Sequence, residues 1–88
     1  METAVVARKR LSMRAWRRGM REMDLILGPF ADAHLARMDV GELAAFDALL
    51  DQNDQDLLPW IIGQQPRPEP FAALLAQVAD FAGARLAR

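Results

Sequence analysis

Few residues in this chain could carry chemistry, and most of those lack the neighbours that chemistry needs. His34 is the only histidine and there is no cysteine, so no histidine–thiolate set for a transition metal can be assembled. Ser12 and Thr3 are the only hydroxyl nucleophiles. Neither has a base and an orienting acid at a readable spacing. The five glycines are scattered and do not form a loop that could cradle phosphate. Asp51, Asp54 and Asp56 crowd together, but their spacing misses the calcium-loop pattern. They read instead as a helix end, a loop and the cap of the next helix. Trp16 and Trp60 read as packing or interface anchors. His34 lies beside Leu35 on an amphipathic stretch and reads as a core-edge residue. We therefore expect no catalytic residue, no metal site and no stably bound cofactor, and the chain is not read as an enzyme.

One segment stands apart: Arg17-Arg18-Gly19-Met20-Arg21-Glu22-Met23-Asp24. Gly19 can take the left-handed conformation that ends a helix, and it can serve as N-cap of the next. Glu22 would then stand at the third helical position and reach back to the cap. Asp24 would add negative charge near the positive end of the helix dipole. That is a complete description of a helix–helix corner, but it does not require so many arginines. Arginine offers a planar fork suited to carboxylates, phosphates and carbonyls. Mixed with Glu22 and Asp24, it suits the anchor of a specific protein interface better than a nucleic-acid face.

The elements that must hold this corner are helices. Ala, Leu, Arg, Met and Glu are common and β-branched residues few, a composition that favours helix. Five stretches can be read. The first runs from Val6 to Arg18, with Met13, Trp16 and Met20 as its apolar stripe. The second starts near Met20 and carries Met23, Leu27, Phe30 and His34, with a kink or restart at Gly28-Pro29. The third, Val40 to Asp51, has Asp39 as N-cap and Glu42 completing a capping box. It buries Leu43, Phe46, Leu49 and Leu50. The fourth is short, with Asp56 as N-cap so that Pro59 falls in the first turn, and Gly63 ends it. Pro66, Pro68 and Pro70 form a stiff connector. The fifth helix, from near Pro70, presents Phe71, Leu74, Leu75, Val78, Phe81 and Ala82. The expectation is an all-α, compact five-helix bundle, one domain over residues 1–88, with about residues 1–5 disordered. Its core would include Phe46, Leu50, Leu57, Trp60, Leu74, Val78 and Phe81.

The chain has 88 residues, room for one domain of modest stability. Its net charge of −1 hides an asymmetry. Residues 1–21 hold seven bases (Arg8, Lys9, Arg10, Arg14, Arg17, Arg18, Arg21) and one acid, Glu2, while the remainder holds four bases and eleven acids. Such a basic end can steer an acidic partner or pair with the acidic remainder of its own fold. An Arg-rich, acid-poor start also fits a mitochondrial targeting segment, but the most informative residues lie inside it, which favours a mature sequence. No apolar run reaches the roughly 18 residues of a membrane span, and no secretory signal is visible. Cytoplasm, or a matrix-like compartment, is expected.

Two stretches resemble the succinate dehydrogenase flavinylation assembly factors of bacteria and mitochondria. One is Arg18-Gly19-Met20-Arg21-Glu22 with Asp24, Leu25-Ile26-Leu27 and Phe30, preceded by Arg14 and Arg17; it fits the family's Arg-Gly-x-x-Glu signature. The other is Leu49-Leu50, then Asp54-Gln55-Asp56-Leu57-Leu58 and Trp60-Ile61, with Pro59 as a local departure that shortens the fourth helix. The resemblance implies a chaperone that binds the flavoprotein subunit of succinate dehydrogenase, with fumarate reductase as a further client. It would favour the domain arrangement in which FAD becomes attached to a flavoprotein histidine, the chemistry belonging to flavin and flavoprotein. Carried over by position, Arg18, Gly19 and Glu22 would form the contact surface, supported by Arg17, Met20 and Asp24. A monomer or weak dimer with no nucleic acid and no membrane insertion would follow. The alternatives are a small nucleic-acid-binding protein using the basic first helix and a basic helix resting on anionic membrane.

Overall fold

The computed structural model describes residues 2–86. Five α-helices follow in order: α1 Ala4–Trp16, α2 Arg21–His34, α3 Val40–Leu50, α4 Asp54–Ile61 and α5 Ala72–Leu86, with a 3-10 turn at Leu35–Arg37 after α2. No strand occurs among the described residues. The Cα radius of gyration is 12.3 Å, close to the roughly 12 Å of a singly packed chain this long.

Helix α1 starts earlier than expected, because the Thr3 hydroxyl accepts the Val6 N–H at 3.2 Å and caps it. Of the segment 1–5, Met1 lies outside the described residues, and Glu2 to Val5 form the approach to the cap and the first turn. The expected apolar stripe is wrong. Met13 is 54 % exposed and Trp16 39 %, whereas Leu11 and Ala15 are buried. Side-chain size pointed to Met13 and Trp16, but the fold buries the smaller pair one turn apart, Leu11 and Ala15. Helix α1 packs on both α2 and α3, and small Ala15 is fully buried there.

Helix α2 runs unbroken through Pro29, with no restart at Gly28-Pro29. Leu27 and Phe30, on either side, are fully buried, and tertiary packing of that kind outweighs a local helix defect. Gly28 has a different purpose from the one expected. A Cβ there would lie 2.3 Å from a ring carbon of Trp16. The indole therefore lies directly on the bare backbone of α2, and its N–H donates to Asp32 at 3.2 Å.

The capping box of α3 is as expected: the Glu42 N–H donates to Asp39 at 2.8 Å and the Asp39 N–H to Glu42 at 3.1 Å. Leu43, Phe46, Leu49 and Leu50 are all buried. Helix α4 differs. Its N-cap is Asn53, not Asp56, and Pro59 lies inside it rather than in the first turn. Leu57 and Ile61, one turn apart, are both buried, and packing of that kind outweighs the local defect at Pro59. Gly63 ends the element with a φ of +83°. The Arg67 guanidinium closes it, donating to the carbonyls of Trp60 at 2.8 Å and Ile61 at 3.0 Å, where the negative end of the helix dipole favours a cation.

Helix α5 packs against α2 and α4 and buries Leu75 and Val78. Phe46, Leu50, Leu57 and Val78 lie in the core as expected, but Trp60, Leu74 and Phe81 are only partly buried against it. Leu11, Met23, Leu27, Phe30 and Leu49 complete the centre. His34 sits at the core edge, its ring stacked 4.2 Å from that of Phe30 and edge-on to Phe81 at 5.3 Å.

Candidate partner-binding corner

The connection from α1 to α2 is a tight reversal built from the arginine-rich segment. Helix α1 stops at Trp16, two residues before the expected Arg18, and Arg17 caps it. Gly19 turns the chain with a φ of +89°, the left-handed region that strains other residues. The N-cap of α2 is Met20, not Gly19. Its carbonyl accepts the N–H groups of Met23 and Asp24 at 3.1 and 3.0 Å. Glu22 accordingly stands at the second helical position, not the third. The tie across the corner comes from Asp24, whose carboxylate accepts the Arg18 N–H at 2.6 Å.

These residues divide into two sets. Arg17, Gly19, Arg21 and Glu22 are exposed, while Met20 is partly buried against the core. Arg18 turns inward. Its side chain is 10 % exposed and pairs with Asp54, itself 16 % exposed, at 2.9 Å. The same guanidinium donates to the carbonyl of Gln52 at 2.6 Å and to that of Leu50. Of the three residues carried over as the contact surface, Arg18 therefore offers little side-chain surface, whereas Gly19 and Glu22 are exposed. The turn between α3 and α4 leaves two carbonyls and a carboxylate converging on one spot, and a planar fork satisfies all three.

The remaining basic residues of α1 are largely spent inside the fold. Arg8 donates to the carbonyls of Leu35 and Met38, both at 2.9 Å. Arg10 bridges Glu2 at 2.7 Å and Asp47 at 2.9 Å, and Arg14 bridges Asp47 at 2.6 Å and Asp51 at 2.8 Å. Hydrogen bonding to Arg10 holds the carboxyls of Asp47 and Glu2 below the usual carboxylate range. Of the seven bases before position 22, Lys9, Arg17 and Arg21 have no partner among the described residues. Pairing with the acidic remainder of the fold therefore accounts for Arg10, Arg14 and Arg18, while Arg8 is held by carbonyls.

Sequence reasoning missed Asp54 and Asp47 as partners of these arginines. The signal was present as two complementary series: Arg10, Arg14 and Arg18 at four-residue steps, facing Asp47, Asp51 and Asp54. No helix among the described residues is long and apolar enough to cross a membrane.

The corner and the clamp lie inside the stretch that known proteins share. The family model described as "Flavinator of succinate dehydrogenase" matches residues 9–82. The FAD assembly factor SdhE of Legionella pneumophila is 41 % identical over 63 residues, 72 % of this chain and 76 % of that protein. The FAD assembly factor SdhE of Acetobacter pasteurianus is 37 % identical over 65 residues, 74 % of this chain and 60 % of that one. The mitochondrial succinate dehydrogenase assembly factor 2 of Schizosaccharomyces japonicus is 40 % identical over 68 residues, 77 % of this chain but 48 % of the relative. The chain thus spans about half the length, or less, of the mitochondrial relatives it matches. With the family model covering most of its length, this chain belongs to the flavinator family of succinate dehydrogenase.

Proposed function

We propose that this protein binds the flavoprotein subunit of succinate dehydrogenase and promotes covalent attachment of FAD to it, without a catalytic group or stably bound cofactor of its own. The observation that carries the reading is the α1–α2 corner. It is a tight turn with Arg17, Gly19 and Glu22 exposed together, within the span matched by the family model. A small rigid body that binds one arrangement of a two-domain client better than another shifts the client toward that arrangement. The chemistry of attachment then stays with the flavin and the client's histidine. Fumarate reductase, built around the same kind of subunit, is a second client under this reading. The site of action would be bacterial cytoplasm or mitochondrial matrix, with the protein acting as a monomer or weak dimer.

The test is co-expression with the flavoprotein subunit in cells lacking their own factor, followed by flavin fluorescence of the denatured subunit. Wild type should raise covalent flavin, and Glu22→Ala, at an exposed position, should stay folded and fail to. Equal covalent flavin with and without the wild-type protein would sink the reading. Gly19→Arg adds a sharper probe. A Cβ at Gly19 meets nothing within 4 Å in the rest of the fold, so the substitution starts in open space at the exposed corner and carries a strain of about 1–2 kcal/mol for a side chain in the left-handed region.

A further inference from the structure

We propose that Arg18 is a positioning residue and not a contact residue: with Asp54 and the carbonyls of Leu50 and Gln52 it fixes the corner that meets the partner. This rests on the reading of the corner as the partner-binding surface. It changes which residues make up that surface's working unit, by adding the turn between α3 and α4, more than thirty residues away in sequence.

The geometry is specific. Arg18 is held at both ends. Its backbone N–H is bound by Asp24 of α2, and its guanidinium by Asp54 of α4 and by two carbonyls that close α3. With the side chain 10 % exposed, almost none of it is left for a partner to touch. Every strong acceptor near it is internal. The neighbours in sequence are the opposite. Arg17 and Gly19 are exposed, and Arg17 has no partner among the described residues. Gly19 is the pivot between Arg18 and Met20, with no side chain of its own to hold it. Fixing Arg18 on one side and Met20, packed on the core, on the other holds that pivot in place. A surface loop held this way loses less entropy on binding than one that must be ordered by its partner. The signature arginine thus serves affinity through Asp54, by presenting Arg17, Gly19 and Glu22 in one arrangement.

The test measures affinity of the full chain for purified succinate dehydrogenase flavoprotein subunit, at a temperature where circular dichroism shows each variant fully folded. Asp54→Asn is nearly isosteric and lies on α4, outside the exposed set of Arg17, Gly19 and Glu22. Both it and Arg18→Ala should weaken binding by roughly tenfold, and the double variant should be no weaker than Arg18→Ala alone to within about twofold, because both remove one interaction. Asp54→Glu, which keeps the carboxylate, should recover most of the affinity. The salt dependence of binding supplies a readout that mere loss of structure would not move. Arg17→Ala, removing an exposed cation at the interface, should flatten it, and Arg18→Ala should leave it as in wild type. Wild-type binding by Asp54→Asn beside a large loss in Arg18→Ala would overturn the proposal and make Arg18 a direct contact. Additive losses in the double variant, or a flattened salt dependence in Arg18→Ala, would overturn it equally. If Arg17→Ala and Glu22→Ala both bind as wild type, the corner is not the binding surface, and the reading and the proposal fall together.

Discussion

Replacing Arg18 by alanine should destabilise the protein far more than a surface arginine would. The side chain is 10 % exposed and its partner Asp54 16 %, so the substitution strands a carboxylate and two carbonyls that now share a guanidinium. Removing one member of a fully buried pair costs about 3–5 kcal/mol. Water can enter at the partly open edge once the arginine is gone, which lowers the expectation to about 2–4 kcal/mol. Domains of this kind are stable by about 5–15 kcal/mol, and each kcal/mol shifts the midpoint of a chain this size by about 4–8 °C. Thermal unfolding followed by the helical dichroism signal should therefore show Arg18→Ala melting at least roughly 8 °C below wild type. Arg17→Ala, one residue earlier, exposed and without a partner among the described residues, should stay within about 0.5 kcal/mol. Equal melting of the two variants would refute the inward placement of Arg18 and every argument built on it.

Phe46→Ala should cost about 3–5 kcal/mol, since the ring is completely buried. Phe81→Ala should cost clearly less, because that ring is only partly covered; chemical denaturation of both gives the order, and a reversed order would displace α5. Gly28→Ala should destabilise by about 1–3 kcal/mol despite its better helix propensity, because the new methyl would stand 2.3 Å from the Trp16 ring unless the ring moves. Near-ultraviolet dichroism of the indole should change with it, and an unaltered spectrum would contradict the packing. For acid sensitivity, hydrogen bonding to Arg10 holds the Asp47 carboxyl below its ordinary value of 3.8. The unfolded chain takes up that proton first, so the contribution of Asp47 is complete above the ordinary value and is lost as the pH falls through the lower folded value. Asp47→Asn should flatten the acid limb of a stability–pH curve below about pH 4 and leave its neutral region parallel to wild type.

The helices were legible because their signals are local. Asp39 and Glu42 announce the α3 cap, and Leu43, Phe46, Leu49 and Leu50 announce its buried face. What failed was long-range. Met13 and Trp16 look like core by size, yet Leu11 and the small Ala15 are the residues of α1 that the fold buries. Asp56 looked like the better cap because Pro59 argued for a late start, yet burial of Leu57 with Ile61 favoured a helix one turn longer. Gly28 looked like a break and is instead a seat for an indole on another helix. The corner was legible as a corner, from Gly19 and its flanking charges. The inward turn of Arg18 was not, since its acceptors are two backbone carbonyls and a carboxylate that only the fold brings within reach. Local periodicity reports which face is apolar; it does not report which of two apolar faces a neighbour will cover.

The seating of Trp16 on Gly28 also sets how the two positions can change over generations. Size at one is complementary to size at the other, so neither can drift alone without loss. A lineage that shrinks residue 16 opens room for a methyl or larger group at 28. One that keeps tryptophan must keep glycine, and it must tolerate glycine next to proline in the middle of a helix. The order of substitution is constrained as well, since enlarging position 28 first passes through a clash and shrinking position 16 first passes only through a shallow surface dent. Among descendants of a common sequence, the pair should therefore be inherited as a unit, with the smaller aromatic or aliphatic residue at 16 arising before any side chain at 28.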